Sequence, residues 1–380
     1  MSAADLGLGR AAEVLMGPSP GSRATHALYP PRGTPRLLVP LRPRRAAASS
    51  VQHYTTPSSV RDRGLLRFGA ALARLGVADL APRVVALNGL EALGAHLSGV
   101  LGEELAVGVH LGPPRANRKP VLQLMDRQGR PVAYAKLGIN QLTCHRVRAE
   151  ADALHQIARA APTGLVIPAI VADGVWEGLD YVVMRPVPTW SLTAASAEVR
   201  ARALDGLVAA FDTGRSTLAE ATWWRRTMAD LDVCQENRET ARLRSAAAMI
   251  VARYGQEVIE SGAGHGDWTP WNMCPRLGTL AVWDWERFSV DVPRGWDELH
   301  FAIASHPAGA AAALAAPRAV LRTALTVHQR SGEAILAAYL LHRAVSFIKD
   351  RQLEAGAPNG PLRTWLLPAL DDLVEDPRPS

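Results

Sequence analysis

Apolar positions recur at helical spacing over residues 60–76 (VRDRGLLRFGAALARLG), where a glycine closes the run, and again over 89–101. From about residue 104 the pattern changes. ELAVGVHLG, PVLQLMD and PVAYAKLG predict three strands, the last two joined by the turn RQGR. A helix is predicted for CHRVRAEADALHQIARA (144–160), then two strands in LVIPAIVADGVWEGLDYVVMRPV around a turn at Trp176-Glu177-Gly178. Beyond Pro188 the spacing is helical over roughly 194–212, 216–233 and 235–260, and in several stretches from 296 to 374. One non-helical island, 261–295, interrupts these helices. The chain shows no internal repeat.

The first 60 residues are rich in Pro, Arg, Ser and Ala and are expected to be only partly ordered, with one short extended piece in PRLLVPLRPRR. Four regions follow: this segment (1–60), a helical extension (61–103), an antiparallel-sheet lobe with one inserted helix (104–187) and a helical lobe (188–380). A length of 380 residues fits two lobes better than one core. Hydrophobic residues make up 48% and charged residues 21%, so most of the chain should be globular.

No stretch reaches the roughly 18 apolar residues of a membrane span. Asp5, Arg10 and Glu13 interrupt any apolar signal core near the N-terminus. The three cysteines, Cys144, Cys234 and Cys274, are scattered, which argues against a disulfide framework or a zinc site and fits the reducing cytoplasm. The formal charge of +6 suggests nucleic acid, but its distribution argues against that partner. Residues 1–45 carry seven arginines against Asp5 and Glu13, leaving the rest nearly neutral, and the segment lacks interleaved aromatics or a recognised module.

The island holds the chemistry. It contains His265-Gly266-Asp267, then Asn272, then Asp284 in VWDWE. A carboxylate, a carboxamide and a second carboxylate suit phosphoryl transfer: one carboxylate takes or orients the acceptor hydroxyl proton, while the Asn oxygen and the other carboxylate hold Mg²⁺ against nucleotide phosphates. Mg²⁺ is a hard ion that takes oxygen ligands. The plainer alternative is a loop aspartate capping a helix and a buried aspartate at a strand end.

HGDWTPWN followed by LAVWDWE resembles the catalytic loop H-G-D-x-x-x-x-N and the hydrophobic I-D-[WFL]-E strand of the aminoglycoside phosphotransferase and choline kinase group, small-molecule relatives of the protein kinases. The resemblance implies an α+β, bilobal protein-kinase-like fold with a small antiparallel-sheet N-lobe and a mostly helical C-lobe. It implies Asp267 as catalytic base and Asn272 and Asp284 as Mg²⁺ ligands. His265 would brace the loop, as would Asp297 in VPRGWDELHF, and Glu286 would help fix the loop or water around the metal. The implied reaction moves the γ-phosphoryl group of ATP, with GTP open as donor, to a small-molecule hydroxyl acceptor; an inactive nucleotide-binding pseudokinase is the alternative. The resemblance does not reach residues 1–103. Acceptor identity and oligomeric state are not legible.

Such a site needs a cation on the phosphates held by a helix glutamate. Lys136, ending an alternating strand, and Glu150, on the next helix, fit; a surface lysine and a solvated carboxylate are the alternatives. Of 42 cationic residues 39 are arginines, so a lysine at 136 is against the chain's habit, and a compact ammonium fits between phosphates better than a planar guanidinium. DYVVMRPVPTW resembles the hinge: Met184 would back the adenine, Val187 N–H would donate to it and the Arg185 carbonyl would accept. The loop at 111–120 lacks G-x-G-x-x-G, leaving Asn117, Arg118 or Lys119 as phosphate contacts or a solvated hairpin. Tryptophans 268, 271, 283, 285 and 296 wall an acceptor pocket or, as the favoured reading, pack the segment. TWWRRTM (222–228) is an acceptor-side or an ordinary amphipathic helix. The acidic run Asp371, Asp372, Glu375, Asp376 attracts a cationic acceptor or, more simply, solvates a helix end.

Overall fold

The structure, a computed structural model, describes residues 8, 10–17, 23–30, 32–53, 59–112, 116–191, 193–325, 329–350 and 361–375. The chain divides into two compact units, one of Met1–Gln156 with Ile167–Thr193, the other of Ile157–Val166 with Ala194–Ser380.

The first unit is built on an eight-stranded sheet with every neighbouring pair antiparallel. Its strands are β1 (His26–Tyr29), β2 (Leu37–Pro40), β3 (Val84–Val85), β4 (Ala106–Leu111), β5 (Pro120–Met125), β6 (Pro131–Leu137), β8 (Ile170–Trp176) and β9 (Leu179–Met184), in the order β3-β1-β2-β4-β5-β6-β9-β8; β7 (Leu165–Val166) belongs to the other unit. Helices α1 (Arg10–Met16) and α4 (Asn88–Leu101) contribute Leu15, Leu90, Leu93 and Leu97 to a core shared with Ala133, Ala135 and Leu137 of β6. The two-residue period of β6 then puts Tyr134 and Lys136 on its opposite face. The β5–β6 hairpin closes as the sequence suggests. Asp126 Oδ1 accepts from the amides of Gln128 and Arg130, both at 2.9 Å, and Gly129 takes φ +78°.

Helix α2 (Arg44–Gln52) packs on α3 (Val60–Leu75). Helix α3 starts where Ser59 Oγ accepts from Asp62 N and ends at Gly76 with φ +97°, the stop that the sequence marks. The structure differs from the sequence reading in the first 103 residues. Their described parts do not stand apart: β1, β2 and β3 extend the sheet, with Leu37 opposite His110 and Leu38 opposite Val109. Strands of four residues or fewer carry too little alternation to announce themselves, and their partners lie far along the chain. Two of the N-terminal arginines are likewise drawn into the fold, since Arg42 and Arg44 both pair with Asp79.

The second unit is mostly helical: α6 (Ala197–Ala209), α7 (Thr222–Asp232), α8 (Arg238–Tyr254), α9 (Trp296–Ala304), α10 (Gly309–Ala313), α11 (Pro317–Ala324), α12 (Gln329–Lys349) and α13 (Leu367–Glu375). Residues Ala334 to Leu341 of α12 are all buried, as expected of a helix that is apolar on every side and forms the centre of a core. Around it pack Trp223, Trp224, Leu243, Ile250, Trp296 and Leu370. The island at 261–295 contains no α-helix: it holds the end of β11 (Val258–Gly264), a 3₁₀ turn at Pro270–Asn272, β12 (Met273–Arg276), β13 (Thr279–Val282) and β14 (Ser289–Pro293). Strand β11 lies between β10 (Gly214–Thr217) and β14, while β13 pairs with β12 and, in parallel, with β7. Among the described residues no helix is long and apolar enough to cross a membrane.

Candidate active site

In the first unit, Lys136 Nζ donates to both Glu150 oxygens at 2.7 Å. Glu150 lies on α5 (Gln141–Ala160), where it is buried with Val147, Ala151 and Leu154 on one face, while Asp152 points outward. A carboxylate in so dry a place requires a cation, and Lys136 supplies it. Met184, at the end of β9, is buried two residues beyond Val182, the register partner of Lys136, and so shares a face with Lys136. Arg185 N–H donates to the Ala169 carbonyl at 2.8 Å, and its guanidinium donates to the Val132 carbonyl at 3.1 Å. Of the loop at 111–120, residues 113–115 lie outside the described residues. Arg118 is buried and donates to the Pro35 carbonyl at 3.2 Å, and burial, followed by the neighbouring Arg36 charge, lowers its pKa.

In the second unit, β11 runs directly into His265-Gly266-Asp267. Asp297, in the first turn of α9, fixes this loop through its main chain: Oδ2 accepts from His265 N at 2.7 Å and Oδ1 from Gly266 N at 2.9 Å. Burial pushes the Asp297 pKa up to about 6, against the pull of those two amides. Gly266 has φ +79°, and a Cβ there would come 2.5 Å from the Arg287 carbonyl oxygen, so the motif's glycine is a steric requirement. The His265 ring has a defined tautomer. Its Nδ1 accepts from Asp267 N at 3.1 Å, so the proton sits on Nε2 and is donated to the Trp283 carbonyl at 3.1 Å. Trp285 packs edge-on against that ring at 4.5 Å between centroids.

Asn272 Nδ2 donates to the carbonyl and to Oδ2 of Asp267, both at 3.0 Å. The amide is thereby oriented, and its Oδ1 is the atom left to meet a cation. Trp283 N donates to the Asn272 carbonyl at 3.1 Å, which ties the DWE segment to the loop. Asp284 follows with φ +70°, a conformation that side chains other than glycine rarely adopt and that concentrates at functional positions. One of its carboxylate oxygens lies within 4.8 Å of one from buried Glu286.

Two further residues converge on Asp267 that the sequence does not announce. His300 Nε2 lies 3.0 Å from Asp267 Oδ1, and His300 Nδ1 lies 2.6 Å from the Tyr339 hydroxyl. Burial, then the charge of Arg343, pushes the His300 pKa down to about 4, so His300 is neutral, and burial pushes Tyr339 up to about 12. Burial alone would raise the Asp267 carboxyl; the His300 hydrogen bond and the positive Arg343 outweigh it and hold Asp267 below the usual carboxylate range. The only sequence hint was the three-residue spacing from Asp297, which puts His300 on the same side of α9.

Most of the tryptophan cluster is packing, since Trp268, Trp285 and Trp296 are buried, while Trp271 is 58% exposed beside Asn272. Trp223 and Trp224 of α7 are buried as well, and Arg226 donates to Asp291, so α7 reads as an amphipathic helix. Asp371 pairs with Arg242, while Asp376 of the acidic run lies outside the described residues.

No protein-family model matches the chain, and no curated protein does. Solved structures do. A thermostable mutant of the aminoglycoside phosphotransferase APH(4)-Ia, in ternary complex with AMP-PNP and hygromycin B, has a TM-score of 0.50 at 15% identity, over 75% of this chain and 98% of its own. The gentamicin complex of APH(2")-IIa scores 0.48 at 12% identity, over 75% of this chain and 96% of its own. The macrolide 2'-phosphotransferase MphH from Brachybacterium faecium scores 0.42 at 16% identity, over 72% of this chain and 99% of its own. The likeness to APH(4)-Ia places the chain in the α+β, protein-kinase-like phosphotransferase fold expected from the sequence. Similarity at 15% identity speaks for the fold and leaves the reaction open.

Proposed function

We propose that the chain is a small-molecule kinase that transfers the γ-phosphoryl group of ATP to a hydroxyl of its acceptor. The observation that carries this reading is Asp267 itself: a carboxylate on a glycine-bearing loop, fixed by donors on both oxygens, ionised, and with its side chain still 29% exposed.

In this reading the acceptor hydroxyl oxygen attacks the γ-phosphorus, the bond from phosphorus to the β-γ bridging oxygen breaks, ADP leaves, and the hydroxyl proton passes to Asp267. Lys136, aimed by Glu150, neutralises the non-reacting phosphates. Val187 N–H and the Arg185 carbonyl read the adenine, with Met184 behind it; GTP remains an alternative donor. The donor set suits Mg²⁺. Asn272 Oδ1 and the Asp284 carboxylate are hard oxygen ligands, and the close approach of Asp284 and Glu286 places two like charges where a divalent cation would relieve their repulsion. Mg²⁺ would supply charge neutralisation at the phosphates. His265 and Asp297 hold the loop in which these groups sit.

The acceptor class is a polar small molecule bearing hydroxyls. Since the similar structures hold hygromycin B and gentamicin, the first panel should contain aminoglycosides, then sugars and amino alcohols. The test is a phosphorylation screen of that panel with Mg·ATP and Mg·GTP, read by mass spectrometry of the acceptors. A phosphorylated acceptor supports the reading. Nucleotide binding without turnover across the panel would favour an inactive pseudokinase acting as an interaction module.

A further inference from the structure

We propose that His300, locked by Tyr339, is the residue that positions the Asp267 carboxylate for proton transfer. This deepens the kinase reading and rests on it.

The hydrogens along the chain of contacts are fixed by elimination. An ionised carboxylate can only accept, so the 3.0 Å contact requires the proton on His300 Nε2. A neutral ring then has Nδ1 as an acceptor, so at 2.6 Å the Tyr339 hydroxyl must donate. The ordered sequence is Tyr339 O–H to His300 Nδ1, and His300 Nε2–H to Asp267 Oδ1. Both residues are buried, His300 at 8% and Tyr339 at 3% exposure, so water does not compete for either bond.

The fold explains why this pair can act as a brace. Helix α9 carries Asp297 and His300 three residues apart: the first holds the loop's backbone and the second its reactive side chain. Helix α12, which runs through the core of the unit, carries Tyr339 and, four residues on, Arg343. With Asn272 Nδ2 on Oδ2 and His300 on Oδ1, the plane of the carboxylate is set from both sides. Rotation that would turn it from the acceptor is blocked, and orientation of this kind is a large part of what an enzyme supplies.

The choice of imidazole has a chemical reason. A lysine or arginine in direct contact would make Asp267 one half of an ion pair and weaken it as a base. A neutral imidazole fixes the geometry without adding a charge. The charged groups around the ring are accounted for: Asp267 is its partner, Arg343 stands on α12, and His265 is committed to Asp267 N and the Trp283 carbonyl.

The test compares His300→Ala, His300→Gln and Tyr339→Phe by Mg·ATP turnover to ADP, with water and with any acceptor found in the screen. His300→Ala should lower kcat about 100-fold with KM for Mg·ATP within about threefold. Glutamine places an N–H near the same point and should recover kcat to within about tenfold, while Tyr339→Phe should cost roughly three- to tenfold. A kcat in His300→Ala within about threefold of the parent overturns the proposal. So does failure of glutamine to recover kcat although the protein melts like the parent. Nitrogen-15 histidine NMR gives an arm that needs no turnover: His300 should be neutral and protonated at Nε2, with signals that shift in Asp267→Asn and in Tyr339→Phe. A cationic ring, an Nδ1 proton, or signals unmoved by Asp267→Asn would also overturn it. Absence of any turnover in the unaltered protein is the separate failure, that of the kinase reading.

Discussion

Glu150 in the first unit and Asp267 in the second are both carboxylates whose two oxygens are occupied by donors, yet the side chain of Glu150 is 1% exposed and that of Asp267 29%. Glu150 meets a full positive charge in Lys136 at 2.7 Å on each oxygen. Asp267 meets neutral donors, an amide and an imidazole, with the Arg343 charge acting without a hydrogen bond. On the proposed reading the difference is one of task. A carboxylate that must hold a lysine in place is best fully paired and dry. One that must take a proton needs a fixed direction, an open approach and no cation in contact with it.

Changes to the ion pair should have the largest effect. Lys136→Met leaves Glu150 buried without its cation and should destabilise the protein by about 3–5 kcal/mol in urea denaturation. The double change Lys136→Met with Glu150→Leu should recover most of that loss, because a buried pair replaced by apolar side chains is often neutral, while Mg·ATP turnover stays lost. Recovery of turnover as well would mean that Lys136 serves stability alone.

A smaller effect is expected from acid. Burial lowers the pKa of His26 in the first unit to about 4 and that of His342 in the second to about 3. Both folded values lie below the unfolded value of 6.5, so the unfolded chain takes up protons first as pH falls. Each histidine therefore contributes stability that is present above pH 6.5 and drains away below it, by at most about 3 kcal/mol at pH 4. Urea midpoints followed from pH 7 to 4 should decline, and His342→Gln should flatten the decline; an unchanged slope would show that His342 titrates normally. The smallest effect belongs to the exposed pair Arg127–Glu104, at 73% and 66% exposure. Removing it by Arg127→Ala should leave the denaturation midpoint where it was, in contrast to Lys136→Met.

Period and turn chemistry made β4, β5, β6, β8 and β9 and helices α3 to α5 legible in the sequence, and residue type at fixed spacing singled out Asp267, Asn272 and Asp284 as candidates. The remainder was hidden for physical reasons. Strands β1 to β3 are short and pair with distant partners, so local alternation cannot reveal them. Arg42 and Arg44 read as tail charge until Asp79 appears beside them. His300 sits in a segment whose other features already suggested a site, but a histidine on an apolar helix face reads as core, and Tyr339 reaches it from a helix 39 positions further along the chain.

Asp267 is the group proposed to receive the acceptor proton, and Asp267→Asn tests that role with little change in shape. Transfer of labelled γ-phosphate from Mg·ATP to an acceptor should fall by about 100-fold or more, while calorimetric Mg·ATP affinity stays within about threefold of the parent. Transfer at the parental rate in Asp267→Asn would contradict the account.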